Sequence, residues 1–502
     1  MTSRTTPLPD VNKLEILDAT ALDELRKRFV TIGFGRTQLE PILRAAESQH
    51  GPIKEALLRF GARKVKEPFA YVARALMFAD PVGRDELTVA LGDLTKRLED
   101  AGLLVETPEG LVSPYSLSIA SGLFLLGDVL SHAGDAVMAQ SPATGSLATA
   151  VMPKRKVDRA LDLGTGAGML ALLLSRKASA VVGTDINPRA VRLARFNARL
   201  NGIQNVEFRE GNLFEPVRGE RFDVVVSQPP FVPQATAAQA GAFMSGGARG
   251  DELLLALLKE LPSFLAPAGR AVLFAEWGHG PRLPSPVDRI EKAFAGAAVN
   301  SLVFVMPPAA GVTHAIGYAA ALEPELGAAF EAELAARITH LESMNIEALI
   351  PTLIAVERTE SRGPRVEVIP MGPFGRMLPN TQRIDKLFAG RHLIRSLDGL
   401  LAAKLRMVDG VVLREEQQGP GADRPSQLFA IFPPAAMSDP VTLTPMQLRL
   451  STTIHEAASV REGLDIYVHR SAPSETSAPS QDERELLKAT VEMVLMGLLE
   501  AA

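Results

Sequence analysis

Residues 161–168 read Leu-Asp-Leu-Gly-Thr-Gly-Ala-Gly. This stretch joins an apolar strand to a glycine-rich turn that opens a helix rich in Leu and Ala. Glycines allow a tight turn and let a ligand approach the backbone closely. Enzymes that bind nicotinamide dinucleotides share such a turn, but their third glycine falls at the position where this chain has Met169. The spacing Gly-x-Gly-x-Gly therefore favours S-adenosylmethionine. The candidate cofactor contacts in this turn are Asp162, Gly164, Thr165, Gly166 and Gly168.

Two polar residues follow the next two predicted strands. Asp185 ends the second strand, where a carboxylate is well placed to accept hydrogen bonds from both hydroxyls of a ribose. The same side chain could instead cap the helix that begins near Pro188. Asn212 follows the third strand and could bond an adenine edge with Leu213 or Phe214 packed on the ring, or serve only as a turn residue. The predicted cofactor-binding set therefore also includes Asp185, Ile186, Asn212 and Leu213.

Short apolar runs alternate with helical segments on both sides of the glycine-rich turn. The predicted strands are Arg159–Leu163, Ala180–Thr184, Val206–Arg209, Phe222–Ser227 and Ala271–Ala275. The predicted helices between them are Gly168–Arg176, Pro188–Leu200 and Asp251–Leu265. This alternation predicts an α/β fold with a parallel, doubly wound sheet. Leu302–Met306 and Leu349–Val356 are candidates for the last two strands, separated by a helical insertion near Glu323–Asn345.

The fourth predicted strand leads into residues 227–231, Ser-Gln-Pro-Pro-Phe. Here the sequence resembles the class I methyltransferases with an Asn-Pro-Pro-aromatic motif, a group that includes release-factor glutamine and ribosomal RNA guanine-N2 methyltransferases. The resemblance covers about residues 135–280 and includes a later segment, residues 245–251, Ser-Gly-Gly-Ala-Arg-Gly-Asp, that opens a helix. It implies a Rossmann-like sheet, S-adenosylmethionine as the methyl donor, and transfer of a methyl group to an acceptor.

The resemblance also implies roles for the residues of this motif. In the family, the first side-chain carbonyl and the backbone carbonyl after it accept hydrogen bonds from the acceptor's N–H groups, and the aromatic ring stacks on the planar acceptor. The prolines fix the backbone and remove competing donors. The implied catalytic residues are Gln228, Pro229, Pro230 and Phe231, and Gln228 is also a candidate cofactor contact.

The chain departs from the family by having Gln228 in place of Asn or Asp, which moves the side-chain carbonyl one methylene outward. A carboxylate or hydroxyl oxygen is therefore an alternative acceptor.

The flanking regions differ from the central one in pattern. Residues 1–134 are predicted to form a mostly helical, winged-helix-like domain, because helical spacing is followed by two short apolar runs around Thr107-Pro108-Glu109-Gly110. Residues 135–362 form the predicted methyltransferase domain, with Ser141–Ser146 as a candidate lid. Residues 363–502 form a small C-terminal α-rich region. Its predicted helices are Thr444–Asp465 and Asp482–Ala501, with exposed loop at Glu415–Pro425 and a linker at Ser471–Gln481.

Composition excludes several classes of site and favours a cytoplasmic protein. The 502 residues include no cysteine, which excludes disulfides, thiolate zinc sites and cysteine nucleophiles. The eight histidines form no ligand pattern, so no metal site is expected. No signal peptide or membrane-spanning stretch is recognisable. A net charge of −5 does not favour nucleic-acid binding, although it leaves a local basic surface open.

The sequence predicts an S-adenosylmethionine-dependent methyltransferase. Its acceptor is predicted to be a nitrogen or oxygen (amide, amine or carboxylate) of a small molecule or peptide. Two alternatives stay open: an N-methyltransferase of RNA bases or translation proteins, and a non-catalytic protein that binds adenosylmethionine. A homodimer is compatible with the accessory regions. His279, Trp277, Tyr115 and Arg249 are weaker candidates for acceptor contacts.

Overall fold

The computed structural model describes residues 7–47, 51–129, 133–234, 244–360, 365–371, 378–416, 427–432, 440–471 and 483–502. These residues belong to two compact units, Met1–Pro370 and Met371–Ala502. Within the described residues, every helix is either too short or too polar to traverse a lipid bilayer.

The first unit opens with helices. After a short 3-10 helix at Val11–Ile16, the helices are α1 (Ala19–Thr31), α2 (Arg36–Ala45), α3 (Gly51–Arg63), α4 (Pro68–Leu76), α5 (Arg84–Leu91) and α6 (Leu94–Asp100). Strands β1 (Val105–Thr107) and β2 (Gly110–Val112) pair antiparallel, so the two apolar runs around the Pro/Gly segment form a hairpin. A winged-helix-like domain has helices followed by a hairpin, and the elements of this region follow that order.

A second hairpin follows in a stretch that the sequence analysis interpreted as mostly helical. Strands β3 (Tyr115–Ala120) and β4 (Leu123–Asp128) pair antiparallel over their full length. The buried side chains of Tyr115 and Leu117 alternate with half-buried neighbours, which is the period of a strand and not of a helix. The prediction of a mostly helical region assigned no element to these residues, and the structure places a second hairpin there.

The central sheet occupies the rest of the first unit. Its elements, in chain order, are α7 (Pro142–Val151), β5 (Val157–Leu163), α8 (Met169–Leu174), β6 (Ala178–Asp185), α9 (Pro188–Leu200), β7 (Val206–Glu210), β8 (Phe222–Ser227), β9 (Val232–Pro233), β10 (Ser245–Gly247), α10 (Glu252–Phe264), β11 (Leu265–His279), α11 (Pro286–Ala293), β12 (Val299–Val305), β13 (Ala309–Ala310), α12 (Gly311–Leu322), α13 (Ala328–Ser343), β14 (Ala348–Arg358) and β15 (Arg365–Pro370). The strand order is β15-β12-β14-β11-β8-β5-β6-β7, with β13 paired beside β14. The α/β Rossmann-like fold class is confirmed.

The prediction of an all-parallel sheet was wrong at one strand. β14 runs antiparallel to both β11 and β12. The helices α12 and α13 return the chain to the end of the sheet where β12 finished, and Val305 therefore pairs with Thr352 near the start of β14. An apolar run indicates a buried strand but carries no information on its direction.

The sheet also extends beyond the boundary predicted at residue 362. Strand β15 begins at Arg365 and pairs parallel with β12. The division into three domains stays a prediction.

Buried polar contacts join the second hairpin to the central sheet. The side-chain amide of Asn197 on α9 accepts from the backbone N–H of Leu126 at 2.8 Å and donates to the carbonyls of Leu126 and Ala167, both at 2.9 Å. Arg189 on the same helix forms a two-bond ion pair with Asp128, at 2.8 and 2.6 Å. Asn197 thereby satisfies backbone groups of β4 that would otherwise be buried without partners, and Arg189 neutralises the buried carboxylate of Asp128.

The second unit combines helices with short strands. Its elements are α14 (Thr381–Leu393), α15 (Leu397–Ala402), β16 (Leu405–Met407), β17 (Val412–Glu416), β18 (Gln427–Ile431), β19 (Val441–Leu443), α16 (Pro445–Glu456), α17 (Val460–Ser471), α18 (Glu483–Leu495) and β20 (Leu499–Ala501). β17, β18 and β19 form one antiparallel sheet, and β16 pairs with β20.

In the second unit, one predicted helix is shorter in the structure, and a predicted loop and linker lie mostly outside the described residues. The helix predicted over Asp482–Ala501 ends at Leu495, and the chain then returns in β20. The loop predicted at Glu415–Pro425 begins inside β17, and its remainder lies outside the described residues. The linker predicted at Ser471–Gln481 lies outside them as well, apart from Ser471 at the end of α17.

Candidate functional site

A cavity of about 640 Å³ opens at the carboxyl ends of the parallel strands. The strand registers place these ends at one edge of the sheet, since Leu163 pairs with Ser227 and Ser227 pairs with Leu273. Such an edge is the usual ligand site of an open α/β sheet. Of the predicted site residues, the cavity is lined by Asp162, Gly164, Thr165, Gly166, Asp185, Ile186, Asn212, Leu213, Gln228, Pro229, Pro230 and Phe231.

The glycine-rich turn forms one wall of the cavity with its backbone. The N–H groups of Gly164 and Thr165 donate to the carbonyl of Thr184 at 2.8 Å, which ties the turn to the end of β6. Gly164 and Gly166 have φ of 74° and 53°, a left-handed conformation that favours glycine. A Cβ atom at either position would project into open space. The turn therefore leaves room at its surface for a bound molecule.

Gly168 has a different role from the other two glycines. It does not line the cavity, and it caps the start of α8 with φ of 91°. A Cβ atom at this position would lie 3.1 Å from the Cβ of Ala194 and 3.3 Å from the ring of Phe208. The structure thus assigns Gly168 to the packing of α8 against α9 and β7, whereas the sequence predicted a cofactor contact.

Asp162 lies beneath the turn with only 1% of its surface exposed. Its Oδ2 accepts from the hydroxyl of Thr165 at 2.7 Å and from the backbone N–H of Ala171 at 2.9 Å. Burial raises the pKa of this carboxyl to about 7, and the nearby charge of Asp185 adds to the rise. The residue holds the turn against the start of α8.

The raised pKa of Asp162 predicts a pH-dependent stability. Because its pKa is near 7 in the folded chain and 3.8 in its ordinary state, the folded form prefers the neutral acid. That preference stabilises the chain fully below pH 3.8 and is lost as the pH rises towards 7. As the pH rises from 3.8 to 7, we expect the melting temperature of the native protein to fall relative to that of Asp162→Asn. Circular dichroism measures both melting temperatures.

The matched control for this measurement is Asp158→Asn, which removes an exposed carboxyl on the same strand. Its melting temperature should follow that of the native protein at every pH. Parallel melting curves for the native protein and Asp162→Asn across the whole range would show that the pKa of Asp162 does not change on folding.

Asp185 stands at the end of β6 with its carboxylate held by backbone donors. Oδ2 accepts from the N–H of Gly166 at 2.9 Å, and Oδ1 accepts from the N–H of Asn187 at 2.9 Å. Burial raises the pKa of this carboxyl above its ordinary value, against the opposing effect of these hydrogen bonds. Asn187 is the cap of α9, because its side chain accepts from the N–H of Arg189. The capping role considered for Asp185 therefore falls to Asn187.

The residues after β7 divide between the cavity and the core. Asn212 and Leu213 line the cavity, and Leu213 has a positive φ of 46°. Phe214 is 1% exposed and stacks on Phe264, with ring centroids 4.2 Å apart. Of the two side chains considered for an adenine ring, only Leu213 therefore faces the ligand space.

The Gln-Pro-Pro-Phe segment lies at the other end of the cavity and contacts the start of α7. The side-chain carbonyl of Gln228 accepts from the hydroxyl of Thr144 at 2.8 Å, and its amide donates to the hydroxyl of Ser141 at 3.3 Å. Ser141 is also the cap of α7, since its hydroxyl accepts from the N–H of Thr144 at 3.1 Å. The segment predicted as a lid is thus the first turn of a helix at the cavity wall.

Three residues at this end of the cavity were missed by the sequence analysis. Glu276 near the end of β11 and Tyr318 on α12 line the cavity, and His314 on α12 contacts Glu276. A single charged residue at the carboxyl end of a buried strand is a signal that could have found Glu276. Nothing in the sequence places α12 beside it.

The weaker candidates lie away from the cavity lining. Trp277 is fully buried and donates its indole N–H to Thr352 at 2.7 Å, so it packs in the core. Tyr115 is buried in the second hairpin, while His279 and Arg249 lie outside the lining. Within the described ranges, the structure brings together no three His, Asp or Glu side chains that could hold a metal ion.

Comparison with known proteins finds similarity to methyltransferases over the region of the site. Residues 141–250 match the model of the methyltransferase small domain. A release factor glutamine methyltransferase of Xylella fastidiosa is 38% identical over 133 residues, which cover 24% of this chain and 48% of that protein. The corresponding enzyme of Rhodospirillum rubrum is 41% identical over 134 residues, with 24% and 40% covered. A ribosomal protein uL3 glutamine methyltransferase of Bordetella pertussis is 35% identical over 144 residues, with 26% and 48% covered.

The chain spans about half the length of the curated relatives that it matches. The matched region contains the glycine-rich turn, Asp185, Asn212 and the Gln-Pro-Pro-Phe segment. The resemblance inferred from these motifs is confirmed over that region.

Proposed function

We propose that the first unit is an S-adenosylmethionine-dependent methyltransferase that modifies a planar side-chain nitrogen of a protein or peptide. One observation carries the proposal: a single cavity joins the glycine-rich turn to the Gln-Pro-Pro-Phe segment. A donor held at the first end would therefore lie beside an acceptor held at the second. The names of the relatives, which methylate glutamine in a release factor and a ribosomal protein, support a protein acceptor.

The residues at the first end fit the proposed methyl donor. The backbone at Gly164 and Gly166 leaves open space at the cavity wall. Asp185 places a carboxylate, which can accept from ribose hydroxyls, at the same wall, and Asn212 offers an amide for an adenine edge. When bound, S-adenosylmethionine supplies an electrophilic methyl group. The residues of this chain hold and orient it.

The residues at the second end fit a planar acceptor. The carbonyl of Gln228 has two lone pairs, and only one is used by Thr144 among the described residues. Pro229 and Pro230 offer carbonyls without competing N–H groups. Phe231 meets Phe274 edge-on, with ring centroids 5.8 Å apart, and this contact fixes the ring that would stack on the acceptor. Alignment of the acceptor lone pair is the main contribution expected of such a site.

Radiolabelled S-adenosylmethionine tests the proposal directly. The full chain is incubated with the labelled donor and an extract of the source cells, which is then separated into protein, RNA and small molecules. We expect label in the protein fraction, released by acid hydrolysis as methylamine, because an N-methylated amide gives methylamine and a methyl ester gives methanol.

Each other outcome of this experiment selects a different function. Label released as methanol would contradict the nitrogen acceptor and support a carboxylate. Label in RNA, or in a small molecule, would move the acceptor to that class. Binding of the donor with no transfer to any fraction would support a non-catalytic protein, and absence of binding would contradict the proposal as a whole.

A further inference from the structure

Glu276 is a carboxylate at the acceptor end of the cavity. It lies on β11 two residues after Phe274, and side chains two apart on a strand share one face of the sheet. Phe274 contacts the ring of Phe231. Glu276 therefore stands on the same face as the Gln-Pro-Pro-Phe segment, and it lines the same cavity.

A histidine from another element fixes this carboxylate. Nε2 of His314 on α12 lies 3.0 Å from Oε2 of Glu276, and it is the donor of this hydrogen bond when the carboxylate is ionised, because an ionised carboxylate only accepts. The side chain of His314 is 8% exposed and that of Glu276 18% exposed. His314 in turn packs on the ring of Tyr318, with centroids 4.6 Å apart. Among the described residues, His314 is the only side-chain partner of Glu276, so the second oxygen is free to accept from a ligand.

The side chains around Glu276 in the cavity wall are mostly aromatic. Phe231, Phe274 and Tyr318 contribute aromatic walls on this side. The guanidinium of Arg337 lies 5.7 Å from the ring of Tyr318 and is paired with Glu333 at 2.7 Å. A ligand that entered here would meet a half-buried carboxylate with apolar walls around it.

We propose that Glu276 determines which acceptor enters the site, by accepting a hydrogen bond from an acceptor N–H and repelling an acceptor carboxylate. The inference rests on the proposed function, since it assigns this end of the cavity to the acceptor. An ionised carboxylate accepts hydrogen bonds only, and a second carboxylate beside it in a half-buried site is strongly disfavoured. Glu276 thus separates an amide from the carboxylic acid of the same shape, while Gln228 orients the group that is admitted.

Two small probes of equal shape test this assignment. N-acetyl-glutamine methylamide and N-acetyl-glutamate methylamide are titrated separately into the full chain saturated with S-adenosylhomocysteine. Binding is followed by ligand-observed NMR, and the affinity for S-adenosylhomocysteine itself is measured by calorimetry. The variants are Glu276→Gln, which removes the charge and keeps the shape, and Glu260→Gln, which removes an exposed carboxylate on α10 as the matched control.

We expect the native protein to prefer the glutamine probe by about tenfold, a typical minimum for like-charge exclusion. Glu276→Gln should reduce this preference to about threefold or less, chiefly by admitting the glutamate probe. Its affinity for S-adenosylhomocysteine should stay unchanged, and Glu260→Gln should behave as the native protein. A purely structural role for Glu276 would weaken both probes alike and leave their ratio intact.

Three results would overturn the assignment. These are an unchanged preference in Glu276→Gln, equal affinities for the two probes in the native protein, and no binding of either probe to the native complex. Each leaves the proposed function standing if S-adenosylhomocysteine binds. If S-adenosylhomocysteine does not bind the native protein, the proposed function fails, and the role of Glu276 fails with it.

Discussion

Asp185→Ala is expected to lower the affinity for S-adenosylmethionine by about a thousandfold. Hydrogen bonds to a charged group contribute about 1.5–3 kcal/mol each, and two bonds to ribose hydroxyls would be lost together. The substitution also removes the acceptor of the Gly166 N–H at 2.9 Å, which ties the glycine-rich turn to the end of β6. Asp185→Ala therefore removes the proposed ligand contact and the support of the turn together.

Calorimetric titration with S-adenosylhomocysteine measures this loss without any acceptor. Asp185→Asn is the matched variant, because it keeps one carbonyl oxygen and can retain the bond to Gly166. We expect its affinity to lie between that of the native protein and that of Asp185→Ala. Native affinity in the alanine variant would show that Asp185 does not hold the ribose.

Gln228→Ala is expected to reduce turnover by about a hundredfold while cofactor affinity changes by less than about threefold. Removing one group that orients or stabilises the reacting atoms costs about this much in comparable sites. The lost carbonyl is the one proposed to hold the acceptor nitrogen in line. The glycine-rich turn and Asp185 are unaffected, since no hydrogen bond of Gln228 reaches them within the described residues.

A second variant separates two roles of Gln228. Its side chain also anchors the start of α7 through Ser141 and Thr144, and loss of that anchor alone could slow the enzyme. Thr144→Val breaks the 2.8 Å bond to the Gln228 carbonyl and leaves Gln228 in place. We expect it to retain most of the turnover, measured as label transferred to the protein fraction. Equal losses in the two variants would mean that Gln228 acts only as the anchor of α7.

The glycine-rich turn is a part of the site that neighbouring residues in the chain were enough to predict. Its glycines, the preceding apolar strand and the following helix are all encoded within residues 157–174, and their conformations follow from neighbours in the chain. The same holds for Asp185 and the Gln-Pro-Pro-Phe segment, because each ends a buried strand. Parallel strands in a doubly wound sheet bring their carboxyl ends to one edge, so these residues were predicted to meet.

Other features depended on contacts between distant parts of the chain. The direction of β14 depends on the path of α12 and α13. The need for glycine at position 168 depends on the close approach of Ala194 and Phe208. The hairpin of β3 and β4 is held by Asn197 and Arg189, which follow it in the chain by some sixty residues or more.

Strand periodicity and turn glycines are local properties, and they predicted the fold class and the edge of the sheet at which the cavity opens. The groups that line the cavity beside the Gln-Pro-Pro-Phe segment depend instead on tertiary packing. Glu276, Tyr318 and Thr144 come from three separate elements, and the sequence did not indicate that these elements share one cavity wall. Their meeting depends on the packing of α7 and α12 around the sheet. That packing is a sum of many weak contacts and leaves no short pattern in the chain.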